Sequence, residues 1–180
     1  MIRRLCVLAA ALALVAPHAL GAQPRRINVM IRAFRDPIML DTLAIWTDIP
    51  GSPGEVFSAA RRVLDSLKLP VTVADSAHGL LLNPQFVTRT RVAGQRMSWA
   101  LRCGTGMFGD YADEWRITMA YAVFIDPVAA GTSRLGITVV AGATSVQGTS
   151  KDPVMCGTTG ALEADIAKRV SLYVLRAKER

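Results

Sequence analysis

Residues 115–143, WRITMAYAVFIDPVAAGTSRLGITVVAGA, carry the reading on which the fold turns. Trp115, Ile117, Met119, Tyr121, Val123 and Ile125 occur at every second position. A strand period of two aims all six at one face of a sheet. Asp126, Pro127 and Gly131 then supply turn chemistry, and Leu135, Ile137, Val139 and Ala141 resume the alternation. The two runs therefore read as an antiparallel pair at the centre of the core.

Upstream, Ser52-Pro53-Gly54-Glu55 has capping-box spacing, with Pro53 at the first helical position, where no amide partner is missed. Val56, Ala60, Val63, Leu64 and Leu67 follow at helical intervals, while Arg61, Arg62, Asp65 and Lys68 take the other face. This spacing predicts an amphipathic helix ending near Leu69 and Pro70. Residues 71–75 and 80–91 read as a hairpin about Asp75-Ser76-Ala77-His78-Gly79, and residues 42–47, 96–103 and 110–125 as further strand. Residues 144–153 read as loop. Near the C-terminus Leu162, Ile166, Val170, Tyr173 and Val174 form one helical stripe. Glu163 and Asp165 early in that helix, and Arg169, Arg176 and Lys178 late, suit its dipole. Asp165 and Arg169 also make a favourable i,i+4 pair. Strand, helix, about five strands, helix predicts an α+β fold: a two-layer antiparallel sheet of five to six strands with two helices, in a single domain over residues 42–180. Residues 23–41 include Arg25, Arg26, Arg32, Arg35 and Asp36 before Pro37, lack a sustained apolar period, and read as a linker or N-terminal arm.

The chain has 180 residues, 51% of them hydrophobic, with 21 Lys and Arg against 14 Asp and Glu. Seventeen of the first 22 residues are apolar, so the surplus is concentrated at one end. Arg3 and Arg4, the uncharged run 5–16, and small residues at Ala19, Gly21 and Ala22 read as a signal peptide over residues 1–22, cleaved after Ala22 or Gly21. The apolar run would cover about 18 Å as a helix, against a hydrocarbon core of about 30 Å. No transmembrane span is expected once the signal is removed, and the expected location is the periplasm or the exterior. The remaining chain holds Cys103, Cys156 and a single His78. Zinc centres of four thiolates, two thiolates with two imidazoles, or three imidazoles cannot be assembled from it, nor can a c-type haem attachment. No metal or cofactor is expected. In an oxidising compartment Cys103 and Cys156 read as one disulfide, closing a loop whose constraint contributes on the order of 4 kcal/mol.

Residues 53–82, PGEVFSAARRVLDSLKLPVTVADSAHGLLL, resemble the helix-then-hairpin opening of BamC-type lipoprotein domains of the bacterial outer-membrane assembly machine. Cys103-Gly104 after a strand, with Cys156-Gly157-Thr158-Thr159-Gly160-Ala161-Leu162-Glu163 at a helix start, is similar to an exported bacterial protein family. The resemblance implies a helix-grip-like fold, a sheet curled around its C-terminal helix, in an envelope protein. It transfers no catalytic residue.

Gly104-Thr105-Gly106-Met107-Phe108-Gly109 spells GxGxxG after a strand. A dinucleotide turn has to open a helix within a βαβ unit, whereas strand is expected next, so the segment reads as a glycine loop beside the disulfide. Thr158, Thr159 and Gly160 open the last helix and are a candidate anion site, with Lys151 nearby in sequence; ordinary helix capping is the alternative. His78 is the only available catalytic imidazole, and no GxSxG elbow accompanies it. Asp110, Asp113 and Glu114 could serve glycosidase chemistry only if two of them stood about 5–9 Å apart across a substrate. Arg89, Arg91, Arg96, Arg102, Arg116 and Arg134 lie on or beside strands, opposite the apolar alternation, and are the candidate anion or partner face. The expected function is a non-catalytic exported, envelope-associated binding domain whose partner is an anionic envelope component or an acidic protein. One alternative is a carrier with an apolar cavity lined by Trp115, Tyr121, Val139 and Ile166, and another is a hydrolase. Nucleic acid is not expected, because no reading helix or stacked aromatic motif is present.

Overall fold

The computed structural model describes residues 26–146 and 152–179; residues 1–22, read above as a signal peptide, residues 23–25, and residues 147–151 of the expected loop, Lys151 among them, lie outside the described residues. Asn28–Val29 (β1) and Ile38–Met39 (β2) pair as a small ribbon before a tight helical turn at Asp41–Leu43 and strand Ile45–Ile49 (β3). Helix Pro53–Ser66 (α1) leads to Val73–Asp75 (β4) and Leu80–Arg89 (β5). An excursion of short pieces follows: Arg91–Val92 (β6), Gln95–Arg96 (β7), Met97–Ala100 (α2), Leu101–Arg102 (β8), Thr105–Gly106 (β9), Gly109–Asp110 (β10) and Tyr111–Glu114 (α3). Arg116–Ala129 (β11) and Thr132–Thr144 (β12) are the long central strands, and Val154–Thr158 (β13) and Ala161–Lys178 (α4) complete the chain.

The class is α+β, with four helices among the described residues and an antiparallel main sheet in the order β4-β5-β11-β12-β13-β8, β3 also pairing with β12. Its centre is the hairpin of β11 and β12, registered from Arg116 opposite Thr144 to Ala129 opposite Thr132. Seven strands replace the five to six expected, because Val154–Thr158 (β13), which has no alternation to read, adds a strand beside β12, and only Leu101–Arg102 (β8) of the strand expected over 96–103 pairs with it. The expected strand at 42–47 begins only at Ile45, since Thr42 donates its hydroxyl to Met39 O at 2.9 Å and closes a turn first. The strand expected over 96–103 is broken by α2, which buries Met97 and Ala100 on one side. The strand expected from residue 110 starts at Arg116, because Tyr111 and Trp115, four apart, stack at 4.1 Å, an approach made across the helical turn of α3.

On the inner face α1 and α4 lie against the sheet. The capping box of α1 is formed: the Ser52 N–H and hydroxyl each donate to Glu55 Oε2 at 2.7 Å, and the Ser52 hydroxyl oxygen accepts from the Glu55 N–H at 3.4 Å. Val56, Ala60, Val63 and Leu64 join Ile117, Met119, Tyr121, Val123, Ile125, Leu135, Ile137, Ile166 and Val170 in one continuous core. Arg169 bonds Asp165 at 2.9 Å on the exposed side of α4. No helix among the described residues is long and apolar enough to cross a membrane.

The outer face corrects the two-layer expectation. Ala120, Ala122 and Phe124 of β11, with Val140 and Leu82, are buried beneath Val29, Ile31 and Leu40. Residues 26–40 are therefore no linker but an arm packed as a partial third layer. Two glycines make room. A Cβ at Gly142 would run into Ala33 Cβ and lie 3.2 Å from Ile31 Cγ2. At Gly136 it would lie 2.6 Å from the Trp46 ring, which rests on that glycine and stands 6.1 Å from Phe124. The buried Thr138 hydroxyl ties the arm down by donating to Leu40 O at 2.7 Å. Gly142→Val should lift the arm from the sheet, lower the unfolding free energy by about 1–3 kcal/mol, and speed proteolysis within residues 26–40. Urea titration and limited digestion measure both effects.

Candidate functional site

The excursion from Arg89 to Arg116 forms a cap at one end of the sheet, stitched by local polar bonds. Asp113 accepts from the Ser98 N–H at 2.9 Å and from its hydroxyl at 2.7 Å, joining α2 to α3. The Met97 N–H donates to Thr90 O at 3.0 Å, and the Tyr111 N–H to Gly104 O at 3.0 Å. Cys103 is joined to Cys156 of β13 in a disulfide spanning 53 positions, so the cap is covalently fixed to the strand that feeds α4. Thr159 adds bonds from its hydroxyl to Trp99 O at 2.6 Å and from its N–H to Ala100 O at 2.9 Å.

The GxGxxG segment opens a hairpin, Gly106 opposite Gly109 and Thr105 opposite Asp110, and no helix starts on it directly. Gly104 and Gly109 have φ of 90° and 140°, conformations that favour glycine. A Cβ on Gly106 would lie 2.5 Å from Tyr111 Cε1, so glycine lets the hairpin rest on the Tyr111–Trp115 stack. Its two central residues point into solvent: Met107 is 92% and Phe108 77% exposed.

All six candidate arginines are exposed, but they do not form one face. Arg89 and Arg116 are direct cross-strand partners on β5 and β11, and Arg91 and Arg96 are partners in the adjoining ribbon. Arg102 lies on β8 in the same cap. Arg134 stands opposite Asp126, ten positions along β11 from Arg116 and so roughly 34 Å away, where it bonds Asp48 at 3.4 Å. The middle of the outer face between these ends is occupied by the arm. Four arginines meet in two facing pairs, Arg102 lies on a separate short strand of the cap, and Arg134 belongs to the other end of the sheet.

At the start of α4 the donors expected for an anion are used internally. The Gly160 N–H donates to Thr158 Oγ1 at 3.0 Å, and the Ala161 N–H to Thr159 Oγ1 at 3.2 Å. Beneath them lies Glu163, 2% exposed, accepting the Thr158 hydroxyl on Oε1 at 2.6 Å, with no partner for Oε2 among the described residues. Burial pushes its carboxyl above the ordinary glutamate value of 4.5, outweighing the opposing hydrogen bonds from Thr158 and from its own N–H.

His78 sits in the β4–β5 turn, where its Nδ1 lies 2.6 Å from Asp75 Oδ2 and the bond holds the Asp75 carboxyl below the usual range. Leu80 pairs with Phe124 whereas Arg89 pairs with Arg116, roughly 27 Å away along β11, which puts the His78 turn and the Asp110–Glu114 acids toward opposite ends of the sheet. The structure does not bring them together. Of the four residues proposed to line a carrier cavity, Tyr121, Val139 and Ile166 are packed core, and Trp115 is half-buried against Tyr111. Tyr121 is anchored by a bond from its hydroxyl to Pro70 O at 2.9 Å. A groove of about 380 Å³ lies instead between α1 and α4, where Arg62 donates to the Tyr173 hydroxyl at 2.8 Å.

No family model and no curated protein matches the chain.

The sequence reading missed the apolar hairpin tip and the buried Glu163. For the tip, the signal was Met107-Phe108 between glycines, where polar residues usually form the turn. Glu163 was read only as a dipole-compatible charge, and nothing in its spacing marked it as buried. Because the folded protein holds the Glu163 proton more tightly than the unfolded chain, stability falls as pH rises from the ordinary glutamate range through the raised folded value. Glu163→Gln should flatten that decline, matching wild type below the ordinary glutamate pKa and exceeding it above neutrality. Denaturant titration across pH measures this.

Proposed function

We propose that this chain is a non-catalytic exported domain, acting in the periplasm or outside the cell, that binds an anionic component of the cell envelope through the arginine-bearing cap. The observation that carries the reading is the facing of like charges. Arg89 opposes Arg116, and Arg91 opposes Arg96. Side chains in such register have Cβ atoms about 4.5–5.5 Å apart, and like charges there destabilise a sheet. Neither Arg89 nor Arg116 has a carboxylate partner among the described residues. An anion seated between the guanidinium groups relieves the repulsion and accepts their forked hydrogen bonds.

Further support comes from the apolar, basic-headed segment 1–22, the disulfide, and the resemblance of residues 53–82 to BamC-type helix-grip domains. An acidic partner protein would meet the same charges. A polyanionic surface fits better because the arginines are spread over several short elements instead of converging on one pocket.

Arg89→Glu provides the test, since it creates an opposite-charge pair with Arg116. Thermal stability should hold or rise by about 0.2–1 kcal/mol. Co-sedimentation of the pure protein with an isolated cell-envelope fraction should weaken, and Arg89→Glu with Arg116→Glu should abolish it. Sedimentation unaffected by either change would remove the reading.

A further inference from the structure

We infer that the Met107–Phe108 hairpin tip is a wedge that enters the apolar margin of an anionic lipid bilayer, an inference that rests on the envelope-binding reading and names its target as lipid. Met107 and Phe108 are the most exposed large hydrophobic residues among those described, at 92% and 77%. They occupy the two central positions between the paired Gly106 and Gly109.

The tip is displayed on a rigid base. Gly106 lies against the Tyr111 ring, Tyr111 stacks on Trp115, and the disulfide begins one residue before Gly104. A base fixed in this way presents the two side chains with little ordering left to do on contact. Two neighbouring apolar side chains held in water are a standing cost that insertion removes.

Charge complementarity selects the occupant. The excursion that bears the tip carries five arginines against Asp110, Asp113 and Glu114, and Asp113 is engaged by Ser98. Asp110 and Glu114 stand at the foot of the hairpin, but the cap as a whole is net basic, and a basic cap carrying an apolar point matches an interface with anionic headgroups outside and acyl chains within. An apolar pocket on a partner protein would also accept Met and Phe, but it gives no reason for the excess of arginine in the cap that bears them. The arginines hold the protein at the surface, and the tip makes the contact short-ranged and resistant to salt.

The test uses protein purified after export, its N-terminus and disulfide verified by mass spectrometry, so that the apolar leader contributes nothing. Flotation is measured with vesicles of phosphatidylglycerol and phosphatidylethanolamine, and with vesicles of phosphatidylcholine alone. Wild type should float with the anionic vesicles only. Met107→Ser with Phe108→Ser should reduce that binding by about tenfold or more with an unchanged melting temperature, because neither side chain is buried. Phe108→Trp should keep the affinity and add vesicle-dependent fluorescence that nitroxide-labelled lipids quench, above the level of the native tryptophans. Equal flotation of the double serine variant overturns the wedge and leaves the arginine reading standing. Sedimentation with envelopes without flotation on lipid also overturns it, and assigns the target to a non-lipid polymer or an acidic protein. Loss of arginine dependence in both assays defeats the envelope reading itself.

Discussion

The β11–β12 hairpin is apolar on both faces, and such a ribbon must be covered twice. Ile117, Met119, Tyr121, Val123 and Ile125 face one way, Ala120, Ala122 and Phe124 the other. Burial at roughly 25 cal/mol per Å² makes either face costly to leave in water. Two helices cover the first. The second receives only the arm, whose thin contact works because Gly136 and Gly142 remove the side chains that would hold Trp46 and Ala33 away. The rest of the architecture accommodates this double requirement, down to the buried hydroxyls of Thr138 and Ser133, which bond Leu40 O and Gly51 O.

Unfavourable electrostatics are concentrated in a stretch that the covalent link also reinforces. Opposed arginines sit at the sheet's end, while Glu163 lies buried beside Thr158, whose hydroxyl also reaches Ala100 O of the cap at 3.5 Å. Natural proteins keep such costs where a function uses them. The disulfide holds this part of the molecule together independently of those charges.

Long periodic elements were legible in the sequence. The capping box, both long helices, the alternation of the central hairpin and the cysteine pair all follow from spacing or elimination. The arm was not, because Val29, Ile31 and Leu40 are too few and too irregular to show a period, and their burial depends on glycines about a hundred positions later. The excursion was misread for a related reason. Its turns are set by tertiary events, Ser98 meeting Asp113 and Tyr111 stacking on Trp115, and residues 96–103 and 110–115 look extended until those contacts exist. Of the candidate site, the arginines were visible and their pairing was not, since register belongs to the sheet and not to any one strand.

The arm's position sets an order of events in time. Leu40 is made early, yet the hydroxyl that secures it belongs to Thr138, 98 residues downstream. Closing so long a span is entropically unfavourable until the hairpin and its neighbours exist. The first described segment to emerge from a ribosome is thus among the last to dock, and during the interval its apolar residues and the uncovered sheet are both open to water. A chaperone that shields residues 26–40 until the hairpin has formed would cover apolar surface during that interval.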